Sequence, residues 1–202
     1  MRVLLIKTSS MGDVIHTLPA LTDARAAIPD LQVDWVVEDS FADLARRHPA
    51  VHTVIPCALR RWRKHPIKAR RSGEWAAFKS AVQSTSYDAV IDAQGLLKSA
   101  FITRLSRGPK FGLDKHSARE GLSARVLDHP LPVARGQHAI KRVRQLFSQV
   151  LGYTLPDAAP DYGLPREHVP TPLSEPAELV FCCLLYTSDA ADEQQRGGLG
   201  GR

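Results

Sequence analysis

Three short stretches of this chain combine residue types and spacings that could do chemistry. The first is Lys7-Thr8-Ser9-Ser10-Met11-Gly12-Asp13, a small loop rich in hydrogen-bonding groups that ends in a carboxylate. Asp13 sits where the loop becomes a helix, so the helix dipole favours its ionised form, ready to accept a proton but a weakened base. A purely structural reading, an N-cap or first-turn acid, fits the same position and is compatible with the chemical one. The second is Arg60-Arg61-Trp62-Arg63-Lys64-His65-Pro66-Ile67-Lys68-Ala69-Arg70-Arg71, which contains no acid. It is either a solvated basic face or a site for phosphates and carboxylates, which arginine grips with two parallel hydrogen bonds. Trp62 within it could stack on a ring or anchor the segment. The third is Asp92-Ala93-Gln94-Gly95-Leu96-Leu97-Lys98-Ser99. Gly95 lets backbone approach a ligand closely. Lys98 stands in the first turn of a helix, where a cation is unfavourable, and so either faces solvent or meets a ligand anion. Glu38 could meet a sugar hydroxyl or serve as a turn acid.

The elements that position these stretches alternate. Val3 to Ile6 reads as a buried strand, followed by a helix with Val14, Leu18 and Leu21 on one face. Further strands are expected at Gln32 to Val37, Thr53 to Pro56, Ala89 to Ile91 and Lys110 to Gly112. Helices are expected at Phe41 to Arg47, Gly73 to Ser84, Leu96 to Leu105 and Gln137 to Leu151, the last closed by Gly152. Residues 60 to 71 read as a basic segment broken by Pro66. This order predicts an α/β domain with a parallel, doubly wound sheet, whose ligands bind at the carboxyl ends of the strands.

Other chemistries are excluded or disfavoured. The first loop lacks both the three glycines of a dinucleotide fingerprint and the Gly-Lys-Ser/Thr of a phosphate loop. The cysteines, Cys57, Cys182 and Cys183, show neither metal-ligand spacing nor a disulfide framework. His48 and His52 are four apart, but Pro49 lies between them and no third ligand is near, so no metal is expected. The formal net charge of +6 implies an anionic partner. No apolar stretch approaches a membrane span, which places the chain in the cytoplasm, touching a membrane from that side. A basic nucleic-acid-binding module is the rival class, but no RNA-binding or helix-turn-helix motif is present.

In combination, several segments resemble the ADP-heptose:lipopolysaccharide heptosyltransferases. They are residues 3–23 (VLLIKTSSMGDVIHTLPALTD), 34–38 (DWVVE), 54–56 (VIP), 60–64 (RRWRK), 87–99 (YDAVIDAQGLLKS), 117–120 (SARE) and 137–139 (QHA), the last leading to Leu151-Gly152-Tyr153. The likeness covers residues 1 to about 181, and Arg60-Arg-Trp-Arg-Lys64 points to the family's type I branch. It implies the GT-B fold, in which two Rossmann-like domains face each other across a cleft, and inverting transfer of heptose without metal or cofactor. The acceptor implied is Kdo2-lipid A, held by the N-terminal domain; the donor is ADP-heptose, held mostly by the C-terminal one. Carried onto this chain, the resemblance makes Asp13 the general base. Ser10 and Gly12 shape its loop, and Arg60, Arg61, Arg63, Lys64, Lys98 and Arg119 bind acceptor anions. An anionic membrane surface is a further expected partner, and nucleic acid is not.

The domain organisation that follows is a truncated one. Residues 1–153 form the acceptor-binding domain, the proline-rich residues 154–177 a linker, and residues 178–181 the start of the donor domain. Residues 182–202 read as a non-native tail, because Cys183 to Glu193 looks like a translated sequencing adapter. A chain lacking the donor half is expected to be inactive alone, and poorly soluble because the apolar surface facing that half is left exposed.

Overall fold

The computed structural model describes residues 1–164. The expected parts of the chain after residue 164, including the donor-domain start and the tail, lie outside the described residues. Strand β1 (Arg2–Ile6) leads into helix α1 (Met11–Ala27), then β2 (Gln32–Glu38), α2 (Ala42–Arg46) and β3 (Val51–Cys57). Three helices follow, α3 (Leu59–Lys64), α4 (Pro66–Arg71) and α5 (Glu74–Gln83). The chain then forms β4 (Ala89–Asp92), α6 (Leu97–Leu105), β5 (Lys110–Leu113), β6 (His129–Leu131) and α7 (Ala139–Leu151).

The six strands form one sheet in the order β3-β2-β1-β4-β5-β6. Every pairing is parallel, with Leu4 of β1 set between Asp34 of β2 and Val90 of β4. Both faces of the sheet are covered, which is why β1 reads as an unbroken apolar run rather than an alternating one. Val3 and Leu5 point to one layer with Leu18 and Leu21 of α1 and Leu146 and Phe147 of α7. Leu4 and Ile6 point to the other, with Phe78 and Val82 of α5 and Ile102 of α6. The direction of winding reverses between β1 and β4, so a crevice opens beyond the carboxyl ends of those two strands.

Local chemistry sets the boundaries. Helix α1 stops at Ile28, whose extended conformation suits a residue before proline. Helix α7 ends on Gly152 at φ 73°, as its sequence predicts. The structure adds detail to three parts of the sequence reading. The basic segment is broken at Pro66 as expected, and its two parts are short helices, with Pro66 opening the second, where its missing N–H costs nothing. Strand β3 runs the full seven residues rather than four. Strand β6 is not visible in the sequence, since three residues including Pro130 carry no period; as an edge strand it tolerates the proline.

The proline-rich segment does not simply leave the domain. The buried Arg144 side chain pairs with Asp23 at 2.6 Å and donates to the Pro156 and Ala158 carbonyls at 3.0 and 3.1 Å. Gly163 lies against His48 and Thr22, where a Cβ would come within 2.6 Å of either side chain. Residues 156–163 therefore strap across the α1–α7 layer.

A carboxylate at the switch point

The loops after β1 and β4 are laced together. Gln94 accepts from the Thr8 N–H and hydroxyl at 2.7 and 2.8 Å and donates to the Ser9 carbonyl at 3.0 Å. Asp92, fully buried, fixes the second loop by accepting from the Gln94 and Gly95 N–H groups and the Ser99 hydroxyl at 2.9–3.1 Å. Burial raises the Asp92 carboxyl above its usual range against these donors. Gly95 has φ +65°, and a Cβ there would lie 3.2 Å from the Ala118 Cβ, so the packing of this loop requires glycine.

Asp13 stands on the first turn of α1 at the mouth of this crevice. Its Oδ2 accepts from the Ser10 N–H at 3.1 Å, and its Oδ1 lies 3.3 Å from Lys7 Nζ. Lys7 is itself buried and donates to the Ala93 carbonyl at 3.2 Å, so its ammonium is fixed beneath the carboxylate. Partial burial raises the Asp13 carboxyl, but the Lys7 charge and the Ser10 N–H outweigh it and hold the group below its ordinary value. The Asp13 side chain keeps 44% of its surface exposed. It is thus ionised, oriented and reachable. A Cβ added at Gly12 next to it would meet nothing within 4 Å, so open space flanks the carboxylate.

The crevice holds a cavity of about 140 Å³ whose polar lining is Lys7, Asp13, His16, Gln94, Arg119 and Arg142. His16 lies one turn beyond Asp13, edge-on to His138 at 5.5 Å. Burial first, then the His138 charge, lower its imidazole below the usual value. Arg142 donates to the Ser117 carbonyl at 2.7 Å, while its buried Nε has no partner among the described residues. Burial and the nearby Arg135 weaken its hold on the proton, so an anion placed there would be stabilised.

The candidate residues divide into two groups. Asp13, Ser10, Gly12 and Arg119 gather at the switch point. Lys98 joins them from α6 by donating to the Ser9 hydroxyl at 2.8 Å. Arg60, Arg61, Arg63 and Lys64 lie on α3 at the end of β3 and do not line the cavity. The tertiary structure supplies counter-charges that the basic run lacks in sequence. Arg61 pairs with Asp39 at 3.2 Å and Glu74 at 2.7 Å. Glu38, raised by burial, accepts the Arg60 N–H at 3.3 Å. Trp62 is an anchor, donating to Glu74 at 2.8 Å and packing on Trp75 and Phe78. His48 and His52 hold structure instead: His48 meets Thr22 at 3.0 Å, and His52 meets Asp34 at 3.3 Å. Lys7 and Gln94 entered the sequence reading only as members of their loops, and His16 and Arg142 escaped it. Of these two, His16 carried a signal, its i+3 spacing from Asp13, whereas Arg142 is more than 120 residues away in the chain.

A parallel sheet in this order, with a held carboxylate and cations at its switch point, defines a Rossmann-like domain. Residues 75–174 match the model of glycosyltransferase family 9 (heptosyltransferase). The chain is 59% identical over 170 residues to lipopolysaccharide heptosyltransferase 1 of Pseudomonas aeruginosa, an alignment covering 84% of this chain and 48% of that protein. The structure is similar to Escherichia coli heptosyltransferase WaaC with ADP, at TM-score 0.79 and 53% identity over 81% of this chain and 51% of that one. It is similar also to the same enzyme with ADP-2-deoxy-2-fluoro heptose, at TM-score 0.75 and 54% identity over 80% and 52%. The chain belongs to glycosyltransferase family 9. It spans about half the length of these relatives.

Proposed function

We propose that this chain carries the acceptor side and the catalytic base of an inverting transferase. The enzyme would move L-glycero-D-manno-heptose from ADP-heptose to Kdo of Kdo2-lipid A at the cytoplasmic face of the inner membrane. The observation that carries this reading is the Asp13 carboxylate, ionised, half-exposed and fixed by Lys7 and Ser10 at the switch point. Asp13 takes the proton from an acceptor hydroxyl as that oxygen attacks the anomeric carbon of heptose. Attack opposite the ADP leaving group inverts the configuration. A base within hydrogen-bond reach is required because a sugar hydroxyl is a poor nucleophile. Lys7 is buried and holds the carboxylate from within the protein, while the Asp13 side chain stays 44% exposed.

Arg119 and Lys98 at the crevice, with Arg60, Arg61, Arg63 and Lys64 on its flank, meet the carboxylates and phosphates of the acceptor. Ser10 and Gly12 shape the loop around the base. The cavity of about 140 Å³ is smaller than the roughly 300–1,000 Å³ of ordinary ligand pockets, so the donor is completed from outside residues 1–164. In this proposal residues 1–153 are the acceptor domain, 154–177 a linker and 178–181 the start of a donor domain. Family membership and the names of the relatives solved with ADP and its fluoro-heptose derivative support the donor class.

The test joins this chain to the donor half of a full-length relative and measures ADP release with ADP-heptose and Kdo2-lipid A. Asp13→Ala should lower kcat by about 10²–10⁴ with KM changed only a few-fold. Near-normal turnover would assign the base elsewhere. The 202-residue chain assayed beside it should show no turnover, since proximity of donor and acceptor contributes much of the rate.

A further inference from the structure

Helices α3 and α4 carry seven lysines and arginines between residues 60 and 71 and no acid. Lys68, Arg70 and Arg71 are exposed and form no ion pair among the described residues. Ile67, in the middle of this basic surface, is 73% exposed. An aromatic row links α3, α5 and α6: Trp62 meets Trp75 edge-on at 5.7 Å, and Trp75 stacks on Phe101 of α6 at 5.7 Å. Phe101 is 51% exposed, and Leu97, one turn earlier on the same helix face, is 52% exposed. Lys98, adjacent to Leu97, reaches back to Ser9 in the crevice, so this face borders the site. The strap of residues 156–163 covers the opposite layer of the sheet and leaves this one open.

We propose that α3, α4 and the exposed face of α6 dock on an anionic lipid bilayer. Ile67, Leu97 and Phe101 enter the interface, and Lys68, Arg70 and Arg71 meet lipid phosphates. The exposed Lys68, Arg70 and Arg71 complement an anionic surface, and exposed apolar side chains on α4 and α6 give the second attraction that stable attachment needs. Aromatic side chains also concentrate at interface depth. A nucleic acid would leave the aliphatic Ile67 and Leu97 without a partner, whereas acyl chains cover them. The inference rests on the lipid-directed reading above and extends it to a surface that delivers the crevice to its substrate.

The full chain should co-sediment with phosphatidylglycerol/phosphatidylethanolamine vesicles and bind phosphatidylcholine vesicles at least about tenfold more weakly, with affinity falling as salt rises. Ile67→Asn with Phe101→Ser should weaken vesicle binding by about tenfold or more. Lys68→Gln, Arg70→Gln and Arg71→Gln should each weaken it about fivefold. Circular dichroism and the melting temperature monitor the fold, and Ile67→Asn alone, at a highly exposed position, carries the test if the double variant unfolds. Unchanged vesicle binding by these variants would overturn the proposal, as would equal binding to both lipid types. So would a dimer dispersed by Ile67→Asn with no change in vesicle binding, which would make the face a self-association surface. Binding of the O-deacylated, water-soluble acceptor to the same protein is measured in parallel. Its loss with vesicle binding intact sinks the acceptor reading alone, and the converse sinks the docking surface alone.

Discussion

The ion pair beneath Asp13 can be tested quantitatively by Lys7→Met, which keeps the length of the side chain and removes its charge. At 3.3 Å, two unit charges interact by about 1.3 kcal/mol in bulk water and about 5 kcal/mol at an effective dielectric of 20. The Asp13 side chain is 44% exposed, so solvent screening places the interaction near the lower figure. A loss of 1–2 kcal/mol corresponds to a rise of about one unit in the Asp13 pKa. The wild-type carboxyl starts below its ordinary value, so the variant remains ionised at pH 7 and the base keeps its protonation state there. The depressed pKa also contributes stability above the unfolded-state value, and that contribution is lost as pH falls through the folded-state value. Lys7→Met should therefore be less stable than wild type at neutral pH, with the gap closing in the acid range. Carboxyl-carbon NMR titration follows the Asp13 resonance, assigned with Asp13→Asn, and urea melts at several pH values follow the stability. A midpoint unmoved by more than about 0.3 unit would refute the argument: water would then screen the pair completely, and the Ser10 N–H would set the low value.

Arg144→Met leaves Asp23 buried without its partner and should cost about 3–5 kcal/mol in urea melts, with residues 156–163 becoming sensitive to protease. His48, pushed by burial down to about 4, binds its proton more readily in the unfolded chain. Its contribution is whole above pH 6.5 and lost progressively as pH falls toward 4, so melting temperatures should drop across that window, less steeply in His48→Asn. Gly95→Ala forces a Cβ into the left-handed region against Ala118 and should destabilise by about 1–2 kcal/mol in thermal melts.

Much of the fold is legible in the sequence because it is written in local terms. The apolar run of β1, the face of α1 with Leu18 and Leu21, and Gly152 after α7 report periodicity and backbone preference within a few residues of one another. The same locality exposes Asp13, whose ionised state is favoured by its place at a strand–loop–helix junction. The order of the strands, and with it the switch point that makes the Asp13 loop and the Gln94 loop neighbours, depends on packing between segments some 85 residues apart. No periodic pattern encodes such a distance. Charge is decided in the same way. The basic run has no acid of its own, yet Arg61 meets Asp39 and Glu74 once α3 folds over the end of β3, and Lys7 becomes a fixed counter-ion only when β1 is buried. The sequence by itself determined the class of sheet, most of the element types and the place of the Asp13 carboxylate at the end of the first loop. Only the tertiary structure decided which cations surround that carboxylate and which are turned outward, because an electrostatic partner is chosen by distance in space and by burial rather than by position along the chain.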